Sequence, residues 1–109
     1  MTGAHRYELL WWSGCPSHQQ AYQMLAEALL AVGEDPSDIV RLQMISPEDA
    51  EAEAFVGSPT IRIDGKDIDP PAVVTPALTC RMYFSRDGRP RPLPDPELLA
   101  QVLARVLAE

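Results

Sequence analysis

Lysine is almost missing from this chain of 109 residues: Lys66 stands alone among nine basic side chains, which face sixteen acids for a formal charge of −7. That balance disfavours nucleic acid and anionic membrane as partners, since both attract basic surfaces and repel acidic ones. Long apolar runs are missing too. The strand-like stretch after Arg6 holds only about six apolar positions, far below the roughly twenty of a membrane-spanning helix and short for a secretory signal, so a cytoplasmic protein is expected. Cysteine is scarce, with only Cys15 and Cys80. Two thiols in a reducing compartment exclude a disulfide-stapled scaffold; what remains is a thiol used chemically or a small buried side chain. The length suits a single domain over residues 1–109, with residues 1–5 as a mobile tail and no room for a separate substrate domain. Internal repeats are absent.

What the chain does contain is a series of well-punctuated elements. Tyr7-Glu8-Leu9-Leu10-Trp11-Trp12 is nearly continuous in apolar and aromatic residues and reads as a buried central strand. Pro16 suits a first helical turn, and Ala21, Met24, Leu25, Ala28, Leu29 and Val32 recur at helical spacing before Gly33 stops the helix. Val40, Leu42 and Met44 alternate with polar residues, which predicts a second strand over 39–45. Ser46-Pro47-Glu48-Asp49 predicts a short helix to about Phe55; the acids Glu48, Asp49, Glu51 and Glu53 belong to its start and solvated face rather than to a metal site. Thr60 to Gly65 reads as a β-branched strand closing on a turn. A Pro-rich connector over 66–79 then leads to a fourth strand, Cys80 to Phe84, a turn at Arg86-Asp87-Gly88 and an extended segment from Arg89 to Pro94. Asp95 and Pro96 open a last helix with Leu98, Leu99, Val102, Leu103, Val106 and Leu107 on one face. The order is β-α-β-α-β-β-α: an α/β fold with a four-stranded mixed sheet and helices on both faces.

Two segments carry chemistry. Gly14-Cys15-Pro16-Ser17-His18 places a thiol where a strand ends and a helix opens, and unpaired helix N–H groups there favour the thiolate. Roughly forty residues later, Gly57-Ser58-Pro59-Thr60 is a proline turn feeding a strand. His18, about one turn along, is placed to tune the thiol, as imidazolium by favouring the anion or as neutral imidazole by accepting its proton. Trp11 and Trp12 are apolar filling on the two layers, with Trp12 a candidate for the approach to the thiol. His5 is assigned nothing.

The order of these segments, with Cys80-Arg81 after a Pro-rich connector and Tyr83 two residues further on, resembles the small bacterial thioredoxin-like proteins, some of which carry the label alkylmercury lyase. The resemblance covers nearly the whole chain. It implies a thioredoxin-like fold in which Cys15 lies at the carboxyl end of a central strand against a cis Ser58–Pro59 bond. It also implies a thiol-disulfide oxidoreductase acting on protein or low-molecular-weight thiols and disulfides, with Cys15 and His18 catalytic and Trp12, Ser17, Ser58 and Pro59 on the substrate side. The dithiol motif Cys-x-x-Cys is replaced here by Cys15-Pro16-Ser17-His18, so a monothiol mechanism through a mixed disulfide is expected, with Cys80 as candidate resolving thiol. No built-in cofactor is called for. The alternatives are a binding module for a glutathione-like thiol or for a soft metal ion such as Cu(I), Zn(II) or Hg(II) through Cys15 and His18, and a non-catalytic interaction domain. A monomer or weak dimer is expected. With the fourth strand at Cys80 parallel to the first, the two sulfurs are expected roughly 15–20 Å apart.

Overall fold

The structure, a computed structural model, describes residues 5–84 and 87–108. Its sheet is built around the apolar run at the start of the chain. Strand β1 (Tyr7–Trp11) pairs in parallel with β2 (Ile39–Gln43) and antiparallel with β3 (Thr60–Ile63), and β3 pairs antiparallel with β4 (Lys66–Asp67), for an order β2-β1-β3-β4. Helix α1 (His18–Ala31) makes the crossover between the parallel pair, starting two residues later than Pro16 suggests. Helix α2 (Pro47–Ala52) is held by a capping box, in which Ser46 accepts from the Asp49 N–H and the Asp49 carboxylate accepts from the Ser46 N–H. The last helix, α3 (Pro96–Leu107), is capped by Asp95.

The period of two along β1 sends successive side chains to opposite faces. Tyr7 and Leu9 join Ile61 and Ile63 under Ala21, Leu25 and Leu29 of α1 and Leu99, Val102 and Leu103 of α3. Leu10 turns the other way, to Met44, Ala50 and Phe55 around α2, with Trp12, Leu42 and Leu78 packed alongside. Glu8 shares that second face and is buried. Its carboxylate is neutralised by Arg62 on the adjacent strand, with both contacts at 3.2 Å, and the same guanidinium reaches Glu53 at 2.8 Å.

The expected α/β class and four-stranded mixed sheet hold, but the fourth strand is not where the sequence pattern put it, and two further short strands precede the last helix. Asp64 and Gly65 both take positive φ, 53° and 81°, which makes a two-residue turn, so the chain pairs straight back as Lys66–Asp67. Tyr83–Phe84 (β5) lies outside the main sheet and pairs with Pro90–Arg91 (β6) in a separate two-stranded ribbon. Part of the expected turn between them, Arg86, lies outside the described residues, as do residues 1–4 of the expected tail. His5 is held in place, its Nδ1 lying 2.8 Å from the Asp64 carboxylate.

After β4 the connector returns along the second face instead of making a simple excursion. The Ala77 N–H donates to the Phe55 carbonyl at 3.0 Å, the Ser58 N–H to the Thr79 carbonyl at 2.8 Å, and the Arg81 N–H to the Ser58 carbonyl at 2.8 Å. Cys80 and Ser58 thus face each other in a parallel β-bridge. Gly57, at φ 132°, makes this approach feasible, because a Cβ there would come within 2.8 Å of the Arg81 Cβ. The Arg81 guanidinium, buried, donates to Asp67 at 2.7 Å, to Thr60 Oγ1 at 3.2 Å and to the Asp69 carbonyl, and lies 4.3 Å from the centre of the Tyr83 ring. Replacing Arg81 with methionine leaves the largely buried Asp67 carboxylate without its cation. Urea unfolding is expected to show a loss of about 3 kcal/mol, the scale for breaking a buried pair by deleting one partner. A loss below about 1 kcal/mol would mean that the ion pair does not hold the connector.

Candidate functional site

The site lies at the carboxyl end of β1, where three segments converge. Past Trp11 the chain turns sharply, with the Cys15 N–H donating to the Trp12 carbonyl at 3.1 Å. The Trp12 ring folds over Gly14 so closely that a Cβ there would sit 2.4 Å from it. Cys15 follows in the loop before Ser17, the N-cap of α1, and is only 2% exposed. Its thiol points at the Ser58–Pro59 turn and donates to the Ser58 carbonyl at 3.4 Å. The Ser58–Pro59 bond is cis, as expected.

Cys80 corrects the expectation. The expected separation of the two sulfurs is most of the length of the sheet; the returning connector instead delivers Cys80 opposite Ser58, whose carbonyl accepts from the Cys15 thiol, so that each cysteine perturbs the other's ionisation. Both are free thiols, Cys15 buried and Cys80 exposed.

The electrostatics of the pair are uneven. Burial pushes the Cys15 thiol up, but the Ser17 backbone N–H, the Cys80 thiol and the hydroxyls of Ser17 and Ser58 act the other way and together hold it below the ordinary thiol value. Cys80 is pushed up, first by its hydrogen bond with Cys15 and then by burial. Of the two thiols, Cys15 is therefore the more readily ionised and Cys80 the less. The Ser58 hydroxyl is buried and has no hydrogen-bond partner among the described residues.

The other candidates fall differently from the sequence reading. His18 is not among the strongest influences on the Cys15 sulfur; its ring stacks on Trp11, with centroids 4.3 Å apart and planes at 27°, and its Nδ1 is buried without a partner among the described residues. Ser58, expected on the substrate side, meets the Cys15 thiol through its backbone carbonyl, and Ser17, expected there too, is the N-cap of α1. The backbone of the proline turn, expected to be offered to a ligand, is already engaged: both Ser58 groups bond the Cys80 segment, and the Pro59 carbonyl accepts from the Tyr83 hydroxyl. Trp12 is partly buried and packs against the cluster of Leu10, Met44, Ala50 and Phe55. No group of three metal-ligating side chains occurs among the described residues, so the chain offers a soft cation two sulfurs at this place.

No model of a known protein family matches the chain, and comparison with curated proteins and with solved structures gives no match either.

In a Cys80→Ser protein, where the serine keeps a donor in place, Cys15 should titrate below about 8.5, the value of a free cysteine. Thiolate absorbance or alkylation rate against pH reports this, and adding Ser58→Ala should move the midpoint back up. The folded value lies below the unfolded one, so the unfolded chain binds more protons between them. Stability of the Cys80→Ser protein should therefore rise with pH through that window and be lost as pH falls through the folded value. A midpoint at or above the free-cysteine value would remove the stabilised thiolate.

Proposed function

We propose that the protein is a thiol–disulfide oxidoreductase of thioredoxin-like architecture whose redox centre is the pair Cys15 and Cys80. The observation that carries this is the contact between a buried thiol held toward its anion and an exposed thiol placed beside it by a dedicated β-bridge. The architecture is supported by the central β1, the cysteine after it and the Ser58–Pro59 turn against the sulfur. The mechanism is a dithiol one in place of the monothiol expectation. Two thiols lose two protons and two electrons to an external disulfide, a sulfur–sulfur bond forms between Cys15 and Cys80, and the external disulfide leaves as two thiols. The Ser17 and Ser58 donors stabilise the reduced state, because they act on a charge that exists only when Cys15 is a thiolate.

A soft-cation site is the second reading, favoured by the same two sulfurs, since thiolates suit Cu(I) and Hg(II). Incubating the reduced protein with glutathione disulfide and measuring intact mass separates the readings. The expected product has lost two hydrogens and retains no glutathione, while Cys15→Ser stops at a glutathione adduct on Cys80. A stable adduct on the unaltered chain would restore the monothiol mechanism. No reaction, with one Cu(I) bound per chain in a Cys80-dependent way, would favour the metal reading.

A further inference from the structure

Resting on the oxidoreductase reading, a further assignment concerns which sulfur meets the outside. We propose that Cys80, not Cys15, is the sulfur at which an external thiol exchanges, so that the mixed disulfide is carried on Cys80 while Cys15 acts only inside the molecule, and that the exchange partner is a low-molecular-weight thiol.

Three observations carry this. Cys15 is 2% exposed, with its thiol turned into the Ser58 carbonyl, whereas Cys80 is exposed. Attack on a disulfide needs access to the sulfur being attacked, and only one of these two can be approached without opening the site. The second observation is the fate of Ser58. Its N–H and carbonyl are both spent on Thr79 and Arg81, so the edge on which an extended peptide would lie is covered by the chain itself, and Gly57 and Arg81 hold it covered. A polypeptide partner has no backbone ladder to join, while a small thiol needs none. Third, the Cys15 thiol is held below the ordinary thiol value despite its burial, the Ser17 backbone N–H acting first among the groups that favour its anion. A sulfur so surrounded is the better leaving group, since thiols that ionise more readily depart faster.

The steps balance. An external thiolate attacks Cys80 Sγ of the oxidised protein; the new sulfur–sulfur bond joins the external sulfur to Cys80, and the Cys15–Cys80 bond breaks with its electron pair on Cys15, which leaves as the thiolate. A second external thiolate then attacks the external sulfur of the mixed disulfide. The external disulfide is released, and Cys80 leaves as a thiolate and takes a proton. Two external thiols are oxidised by two electrons and the protein disulfide is reduced by two. In the reverse direction Cys80 accepts the external group and the Cys15 thiolate expels it.

The test uses the unaltered chain. The bridged protein is prepared by oxidation and verified by intact mass before anything is added; failure to obtain the bridge would overturn the oxidoreductase reading and this assignment with it. Glutathione is then added, the reaction is quenched with acid at short times, and peptides are mapped for the glutathione adduct. The assignment expects at least a tenfold excess of adduct on Cys80 over Cys15 at the earliest times, on the order of the discrimination that burial of one sulfur imposes. Adduct mainly on Cys15 would overturn the assignment and leave the dithiol function standing. A cysteine-containing unstructured peptide run in parallel should exchange no faster than glutathione; a markedly faster peptide reaction would overturn the small-thiol assignment.

Discussion

The contact on which the site depends is the buried ion pair between Arg81 and Asp67. Asp67 ends the short β4, and Arg81 follows the connector that leaves it, so the pair ties both ends of that connector together at 2.7 Å. Thr60, Asp69 and the Tyr83 ring complete the guanidinium's surroundings. A cation buried this deeply needs such partners, because desolvation without them outweighs any contact it makes. Cys80 is the neighbour of that anchored residue in the chain, and its position opposite Ser58 follows from the anchor and from the missing Cβ at Gly57.

From that placement comes an asymmetric thiol pair. A buried sulfur is ordinarily a neutral one, yet here the polar groups around Cys15 outweigh burial. They come from two directions, the loop before α1 through Ser17 and the proline turn through Ser58. The exposed partner is pushed the other way and gives up its proton less readily. One sulfur is thus fitted to hold charge and the other to be reached, a division of labour that a Cys-x-x-Cys loop makes within four residues and that this chain makes across two distant segments.

Much of this was legible in the sequence. The apolar run Tyr7–Trp12 announced a central strand, the Ser46-Pro47 and Asp95-Pro96 pairs announced helix starts, and Cys15 with Ser58-Pro59 marked the two sides of the site. The Asp64-Gly65 pair also signalled an immediate hairpin, and giving it less weight than the apolar and aromatic run at 80–84 misplaced the fourth strand. Cys80 was hidden for a different reason. Its location is set by long-range pairing of the connector with Phe55 and Ser58 and by a cation satisfied from Thr60, Asp67 and Asp69, none of which has a local periodicity. The one clue was Arg81 itself, an arginine at the start of an apolar strand in a chain rich in acids. The stack of His18 on Trp11 had no sequence signal beyond the two aromatic rings themselves, which lie at the end of a strand and the start of a helix.

The central claim, a two-electron dithiol couple in which one thiol ionises more readily than an ordinary cysteine, is tested most directly by the pH dependence of its midpoint potential. Protein equilibrated with thiol–disulfide buffers should titrate as a single two-electron couple. Its potential should fall by about 59 mV per pH unit where both thiols are protonated and by about 30 mV where only Cys80 is, with the break below the free-cysteine value of about 8.5. A slope that stays at the two-proton value up to that pH, or a protein that takes up buffer thiol instead of forming its own bridge, would contradict the account.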